Sequence, residues 1–144
     1  MNQFKFLTTI LSAAALLFLA AGCLSPGSGR DADLNGTTWQ LESFAGNQLL
    51  ESTAFTAEFE DTQIRGDAGC NQYFGTYQVE GNQVTITDLG WTEMACLDPE
   101  GLMEQEQQIL NLLGEVQSFQ RENGTLQMTT AGGQELIFTK TAQP

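Results

Sequence analysis

The stretch that decides the fold is residues 73–86, which read Tyr-Phe-Gly-Thr-Tyr-Gln-Val-Glu-Gly-Asn-Gln-Val-Thr-Ile. Aromatic, small or aliphatic side chains occupy alternate positions on both sides of a central Glu-Gly-Asn-Gln segment. Successive side chains of a β-strand point to opposite faces, and glycine and asparagine accept the positive φ angles of tight hairpin turns. Residues 73–86 therefore predict a β-hairpin with one buried face.

The same alternation recurs along most of the chain from Leu34 onward. It is present at Trp39 and Leu41; at Phe55, Ala57 and Phe59; at Leu126 and Met128; and at Leu136 and Phe138. Glycine-containing turn sequences at 122–125 and 131–134 separate the last of these segments. Short alternating strands joined by tight turns predict an antiparallel meander.

One segment, between Asp98-Pro99 and Gly114, breaks this pattern. Its apolar residues recur at helical spacing and are Leu102, Met103, Ile109, Leu110 and Leu113, while Glu104, Gln105, Gln107 and Gln108 are expected mostly on the opposite side. Asp98 is expected to cap this helix and Gly114 to end it. We assign the apolar stripe to core packing. The predicted fold class is α+β, a strongly curved, barrel-like antiparallel sheet with one amphipathic helix packed against it.

The N-terminal segment has the layout of a secretory signal. Residues 1–22 contain one cation, Lys5, then a long apolar run, and end in small residues. The sequence Leu19-Ala20-Ala21-Gly22-Cys23 resembles the lipobox of bacterial lipoproteins, although Ala20 stands where leucine is more common. We therefore expect residues 1–22 to be removed and Cys23 to carry acyl chains. The alternatives are a membrane-spanning anchor and an incidental cysteine beside an ordinary signal-peptidase site.

Residues 23–33 are expected to form the lipidated N-terminus and a flexible tether, because they are rich in Ser, Gly and Pro. Residues 34–141 are expected to form a single domain. Leu24 follows the cysteine, and the Asp that resembles an inner-membrane retention signal is not at that position. We expect a lipid-anchored protein of the cell envelope, on the outer membrane facing the periplasm if the host has two membranes.

The composition excludes several classes of function. The 144 residues contain 18 acidic and 5 basic residues, a net charge of -13, and no histidine. Such a surface repels the phosphate backbone of nucleic acids. The missing histidine removes the usual general base and the commonest metal ligand. We therefore expect no nucleic-acid partner, no metal, no cofactor and no enzymatic activity.

Two polar motifs have ordinary structural explanations. Residues 66–71, Gly-Asp-Ala-Gly-Cys-Asn, lack the lysine and glycine spacing of a phosphate-binding loop and are interpreted as a turn where two backbones approach closely. Glu58, Glu60 and Asp61 lack calcium-loop spacing and are interpreted as a solvated strand end.

The sequence has three cysteines, one at the expected lipidation site and two in the predicted domain. If Cys23 is acylated, Cys70 and Cys96 remain as an even pair in an oxidising compartment, which favours a disulfide. Two buried free thiols are one alternative. A redox-active pair is the other, although the two cysteines lack the Cys-x-x-Cys spacing that lowers a thiol pKa.

Four blocks of sequence in order resemble a known family, the META domain, also called HslJ-like. The blocks are 34–41 (Leu-Asn-Gly-Thr-Thr-Trp-Gln-Leu), 64–77 (Ile-Arg-Gly-Asp-Ala-Gly-Cys-Asn-Gln-Tyr-Phe-Gly-Thr-Tyr), 91–96 (Trp-Thr-Glu-Met-Ala-Cys) and 103–106 (Met-Glu-Gln-Glu). The resemblance covers about residues 34–141. It implies a small α+β domain found on envelope lipoproteins, and it implies no catalytic residues.

We therefore expect a non-enzymatic envelope lipoprotein, monomeric and held to the membrane by lipid on Cys23. Its acidic domain is expected to bind another envelope protein or to help the cell tolerate envelope stress. The alternative is a small-ligand or lipid binder that uses the inside of the curved sheet, lined by Phe55, Phe59, Tyr73 and Tyr77.

Overall fold

Strands dominate the computed structural model, which describes residues 33–141. In chain order the elements are β1 (Thr37–Phe44), β2 (Asn47–Gln48), β3 (Thr56–Glu60), β4 (Gln63–Asp67), β5 (Gln72–Glu80), β6 (Gln83–Trp91), α1 (Leu102–Gly114), β7 (Val116–Glu122), β8 (Thr125–Thr130) and β9 (Glu135–Lys140). Residues 1–22, which are expected to be a signal peptide, and Cys23 lie outside the described residues.

The sheet closes on itself. Strands β3 to β9 pair with their sequence neighbours, and β1 pairs with β3 through residues 37–40 and with β9 through residues 39–44. All pairings are antiparallel, and the two-residue β2 only extends a hairpin from β1. The predicted barrel-like sheet is confirmed as a closed barrel of eight strands, with one helix packed against it.

The barrel is weakest between β6 and β7, the two strands that α1 separates in the chain. Their register contains the single pair Gln83 and Ser118, supported by a hydrogen bond from the Phe119 N–H to the Asn82 carbonyl at 2.9 Å. The C-terminal part of α1 packs beside this seam, where Gly114 lies close to Leu89 of β6. The helix therefore packs against the barrel where strand pairing is least extensive.

The two ends of the barrel differ, and we name them by what they carry. At the entry end the chain joins the barrel at Asp33, and the Asp61 N–H donates to the Asn35 side chain at 2.8 Å. The β5–β6 and β7–β8 turns, at 81–82 and 123–124, also lie there. The helix end holds α1, the 68–71 turn and the 92–101 segment. Within the described chain α1, at 13 residues, is the single helix, and it lacks the length and hydropathy required for a membrane span.

The alternating positions predicted from sequence fill the interior. The largest completely buried side chains are those of Leu34, Trp39, Phe55, Phe59, Ile64, Tyr73, Ile109, Leu113, Leu126, Met128, Leu136 and Phe138. The predicted hairpin turns at 80–83, 122–125 and 131–134 are all present. Burial of aromatic and aliphatic area on this scale is the main stabilising contribution to the fold.

Three expectations for the helix were wrong in detail. Gly101, with φ of 86°, occupies the N-cap position that was expected for Asp98, and no side chain caps the helix. Met103 is 41% exposed although it was assigned to the apolar stripe, whereas Gln105 is buried although it was placed opposite. Gln105 is buried because its side chain accepts a hydrogen bond from the Leu50 N–H at 2.6 Å and donates one to Thr53.

Candidate functional site

The 68–71 turn links β4 to β5 at the helix end. The Ala68 N–H donates to the Asn71 carbonyl at 2.7 Å, and Gly69 has a φ of 108°. The predicted close backbone approach is confirmed at Gly66, where a Cβ atom would lie 1.9 Å from the Thr56 carbonyl oxygen. Any larger residue there would displace β3 from β4, so the glycine is fixed by packing.

A buried carboxylate, Glu106 of α1, ties this turn to the helix. Glu106 is 4% exposed, and its carboxylate accepts hydrogen bonds from the Cys70 N–H at 3.2 Å and the Asn71 N–H at 2.8 Å. The Asn71 side-chain amide donates a third at 2.7 Å. A buried charge is costly unless it is hydrogen-bonded, and these three donors provide the compensation.

Asn71 also forms hydrogen bonds with the segment that follows β6. Its side-chain oxygen accepts hydrogen bonds from the Met94 N–H at 2.7 Å and the Thr92 hydroxyl at 2.8 Å. Its amide also donates to the Met94 carbonyl at 3.3 Å. The backbone of the 92–94 segment is therefore fixed by one buried asparagine. We call Glu106, Asn71 and their hydrogen-bond partners the Glu106 network.

A covalent link holds the same segment from its other side. The structure joins Cys70 and Cys96 in a disulfide, with the sulfur atoms 2.04 Å and the Cα atoms 5.9 Å apart. This is the pairing expected from sequence. The segment between β6 and α1 is thus attached at Thr92, Met94 and Cys96 to a single turn.

Despite this attachment, the segment turns apolar side chains to solvent. The large hydrophobic residues exposed within residues 33–141 are Phe74 (60%), Trp91 (37%), Met94 (55%), Leu97 (89%) and Met103 (41%). Four of these five belong to residues 91–103. Concentrated apolar exposure on a well-packed domain is typical of an interaction surface. We call the side chains of Trp91, Met94, Leu97 and Met103, with the neighbouring carboxylates, the helix-end surface.

The carboxylates of the helix-end surface are Glu93, Asp98, Glu100 and Glu104, and all four residues are exposed. Over the longer stretch 66–120 the sequence contains neither lysine nor arginine. The surface therefore combines apolar side chains with negative charge alone.

The four aromatic residues considered as a ligand-binding lining form a packed cluster instead. The Phe55 and Tyr73 rings stack with centroids 5.0 Å apart, and the Phe59 and Tyr77 rings meet edge to face at 5.0 Å. The Tyr73 hydroxyl donates to the Thr56 carbonyl at 2.8 Å, and burial raises the pKa of Tyr73 well above its usual value. The pKa of Tyr77 is also raised, first by burial and then by nearby carboxylates. This geometry favours core packing.

A cleft of about 490 Å³ opens outside the barrel, between α1 and the β1–β2 and β8–β9 hairpins. Amide side chains including Asn47, Gln108 and Asn111 line it, together with Phe44 and Leu112. Its one titratable side chain is that of Glu115. The cleft offers hydrogen bonds but no arrangement for acid–base or nucleophilic chemistry.

Two residues of the acidic cluster formed by Glu58, Glu60 and Asp61 are paired with an arginine. Arg65 of β4 donates to both carboxylate oxygens of Glu58 at 3.0 and 2.9 Å and to Glu60 at 2.8 Å. The Arg65 hydrogen bonds lower the pKa of Glu58. Asp61 lies apart from this group, in the β3–β4 turn at the entry end. Two members of the cluster therefore serve an exposed cross-strand ion pair.

Sequence reasoning missed the Glu106 network. One signal was available: Glu106 lies four positions after Leu102 and three before Ile109, so helical periodicity alone places it on the buried face. A charged residue in that position needs buried donors. Asn71 had no comparable signal, because its partners are more than twenty residues away in the chain.

Comparisons with known proteins bear on the fold and the family. The family model for the META domain matches residues 32–143. A solution structure of a protein from Burkholderia xenovorans aligns with a TM-score of 0.63 at 24% identity, over 76% of this chain and 85% of that one.

Another solution structure aligns with a TM-score of 0.59 at 24% identity, over 73% of this chain and 89% of that one. A crystal structure of a DUF4847 family protein from Bacteroides vulgatus aligns at 0.55 and 15% identity, over 81% of this chain and 100% of that one. No curated protein matches the sequence. The structural likenesses concern the fold, and the family match decides the assignment: this chain belongs to the META domain family.

Proposed function

We propose that the protein is a non-enzymatic lipoprotein of the bacterial envelope, a monomer whose META domain binds another envelope protein and supports tolerance of envelope stress. The helix-end surface carries this proposal. Its apolar side chains belong to a segment held by a disulfide and by the Glu106 network, so their exposure is built into the fold. A rigid apolar surface loses little conformational entropy when a partner covers it.

The anchor is the second part of the proposal and rests on the lipobox-like sequence before Cys23. Acyl chains contribute about 0.8 kcal/mol per buried CH₂, so a diacylated or triacylated cysteine would hold the domain firmly to a bilayer. The folded domain begins at Asp33, at the entry end, and the helix-end surface lies at the opposite end of the barrel. The tether is therefore attached away from the surface that is proposed to bind.

Absence of enzymatic activity is proposed from the chemistry of the side chains. The protein has no histidine, and Cys70 and Cys96 are consumed by their disulfide. Groups of three or more metal-binding side chains are not formed among residues 33–141. Buried Glu106 faces backbone and amide donors, which suits a structural role better than proton transfer.

A deletion strain tests the proposal through complementation under detergent stress. The wild-type gene should restore growth, and Cys23→Ser should fail because the protein leaves the membrane fraction. The double variant Met94→Ser/Leu97→Ser should reach the membrane and still fail. Its control is Gln63→Ser/Gln78→Ser, which changes two exposed side chains elsewhere on the barrel and should restore growth.

Mass spectrometry of the mature N-terminus checks the anchor separately, because it detects acylated Cys23 directly. Full complementation by Met94→Ser/Leu97→Ser would contradict an interaction through the helix-end surface. An unmodified Cys23 would contradict the lipoprotein assignment.

A further inference from the structure

The charge of the helix-end surface narrows the kind of partner that it fits. Residues 91–104 contain four exposed carboxylates, at Glu93, Asp98, Glu100 and Glu104, interleaved with four exposed apolar side chains and no basic residue. Apolar area supplies affinity, while carboxylates around it select the sign of the partner's charge. Because the surface presents both kinds of group, a partner must offer apolar side chains and positive charge together.

The three basic residues of the described chain lie outside the helix-end surface, and two of them are occupied. Arg65 is paired with Glu58 and Glu60. The Arg121 guanidinium donates to the Asp33 carbonyl at 2.6 Å and lies 5.6 Å from the Trp39 ring centroid. Lys140 is in β9, at the entry end. The negative charge at the helix end therefore has no compensating group nearby within the described chain.

This charge also argues against two other occupants. A second copy of the chain would bring the same carboxylates against each other, and like charges across an interface are costly. An anionic lipid surface would be repelled for the same reason. A cationic partner is attracted from a distance and gains affinity when the apolar groups meet.

The side chains themselves suit an amphipathic segment. Met94 and Met103 are flexible and polarisable, so they adapt to varied apolar shapes, while Leu97 is the most exposed large apolar side chain at 89%. The backbone beneath them is fixed by the Cys70–Cys96 disulfide and the Asn71 hydrogen bonds. Flexible side chains on a rigid backbone are characteristic of surfaces that bind amphipathic helices.

We propose that the helix-end surface binds a cationic amphipathic segment of another protein, with basic side chains meeting the carboxylates and apolar side chains packing on Met94 and Leu97. This inference rests on the proposed interaction function and names the chemistry of its partner.

The test uses the exported chain from residue 23 with Cys23→Ser, because the closed barrel and its core lie wholly within residues 34–141. The probe is a leucine–lysine helical peptide of about 18 residues. Controls are a leucine–glutamate peptide and a leucine–lysine peptide of the same composition without an apolar face. Trp91 fluorescence reports binding, since Trp91 is 37% exposed whereas Trp39 is completely buried.

The amphipathic leucine–lysine peptide should bind, and both control peptides should bind at least about tenfold more weakly. Met94→Ser/Leu97→Ser should weaken binding about tenfold or more. Glu93→Gln/Glu100→Gln/Glu104→Gln should weaken it by a similar factor and reduce its dependence on salt. The matched control, Asp61→Asn/Glu80→Gln/Glu122→Gln, removes the same charge at the entry end and should change affinity less than about twofold.

Equal weakening by the two charge variants would overturn the inference, because it would show attraction to the whole acidic domain. So would unchanged binding in Met94→Ser/Leu97→Ser. Binding of phosphatidylcholine vesicles without peptide binding, or a dimer abolished by Met94→Ser/Leu97→Ser, would assign the surface to lipid or to a second copy. If the peptide fails to bind while Met94→Ser/Leu97→Ser still loses complementation, the cationic partner is excluded and the interaction function stands.

Discussion

The two ends of the barrel are closed by different means. At the entry end, Leu34 and Trp39 are completely buried, and the Arg121 guanidinium covers the Trp39 ring at 5.6 Å. At the helix end, a buried carboxylate, a buried asparagine and a disulfide hold the chain, while Met94 and Leu97 face solvent. Apolar packing contributes at both ends, and the helix end adds polar and covalent links that fix its backbone.

This difference explains how a small acidic domain can display apolar side chains and remain folded. Apolar residues at the entry end stabilise the core and are not available to a partner. At the helix end the polar links fix the backbone, so the exposed apolar side chains of the helix-end surface are not required for folding. The helix end is therefore where exposed side chains can be altered without loss of the fold, and five predictions test that distinction.

The largest expected effect is the difference in stability loss between substitutions of two tryptophans, Trp39 near the entry end and Trp91 at the helix end. Trp39→Ala should destabilise the protein by about 4 kcal/mol, because it empties a buried site and removes the hydrogen bond from the indole to Thr37. Trp91→Ala should cost about 1 to 2 kcal/mol, because more than a third of its surface is already exposed. Urea unfolding of both variants measures the difference. Equal losses would remove the distinction between the ends.

The disulfide should contribute nearly as much. Its loop of 26 residues corresponds to about 3.5 kcal/mol on the chain-entropy model, so Cys70→Ala/Cys96→Ala should lower the unfolding free energy by up to that amount. Hydrogen exchange should rise first in the 92–98 segment, while the 123–124 turn at the entry end stays as in wild type. An unchanged melting midpoint in reductant, with two titratable thiols, would show that the disulfide does not form.

The Glu106 network should come next. Glu106→Gln replaces an acceptor with an amide group and leaves part of the Cys70 and Asn71 donors unsatisfied, at a cost of about 1 to 3 kcal/mol. Glu104→Gln is the matched control, since it makes the same change on the exposed face of α1 and should cost less than about 0.5 kcal/mol. Thermal unfolding compares them, and similar midpoints would contradict a structural role for the buried carboxylate.

The contribution of the buried Tyr73 to stability should fall at alkaline pH. The folded-state pKa of Tyr73 is raised above its ordinary value of 10.0, so the neutral form is favoured by folding. That contribution is fully present below about pH 10 and is lost as pH rises further, because the unfolded chain then releases its proton first. Tyr73→Phe should cost about 1 kcal/mol at neutral pH through the lost bond to Thr56.

Above about pH 10, wild type and Tyr73→Phe should converge in stability, because only wild type loses the contribution of Tyr73 there. Urea unfolding between about pH 8 and about pH 11 tests this. Parallel pH profiles would mean that Tyr73 ionises as freely in the folded protein as in the unfolded chain. Tyr77 titrates in both proteins and does not affect the comparison.

The smallest effect on stability is expected for the helix-end surface itself. Met94→Ser/Leu97→Ser should change the unfolding free energy by less than about 0.5 kcal/mol for each residue, since both side chains are exposed. A loss of several kcal/mol in the same unfolding experiment would show that these side chains pack in solution. The surface would then be part of the core.

Much of the barrel could be predicted from the sequence, because its buried positions alternate. Phe55, Ala57 and Phe59 all face the interior, and the Asn123-Gly124 turn adopts the positive φ angles that its residues favour. Strands β4 and β7 were not predicted. Strand β4 offers a single apolar residue, Ile64, and in β7 the pairing with β8 shifts register between Val116 and Ser118, which breaks the alternation.

Less of the site was predictable. The Cys70–Cys96 pair followed from counting cysteines and from the expected compartment. The Glu106–Asn71–Met94 connection joins three elements that are distant in sequence, and no local pattern encodes such a contact. Met103 was wrongly assigned to the apolar stripe because its position fits the helical spacing of the other apolar residues. In the structure it is 41% exposed.

The most direct test of the central claim is site-specific photo-crosslinking in living cells. A photoreactive residue is placed at position 97, on the helix-end surface, and separately at position 123, in an exposed turn at the entry end. The proposed function predicts covalent adducts with a distinct envelope protein from position 97 and only background from position 123. Adducts from position 123 with none from position 97 would contradict it.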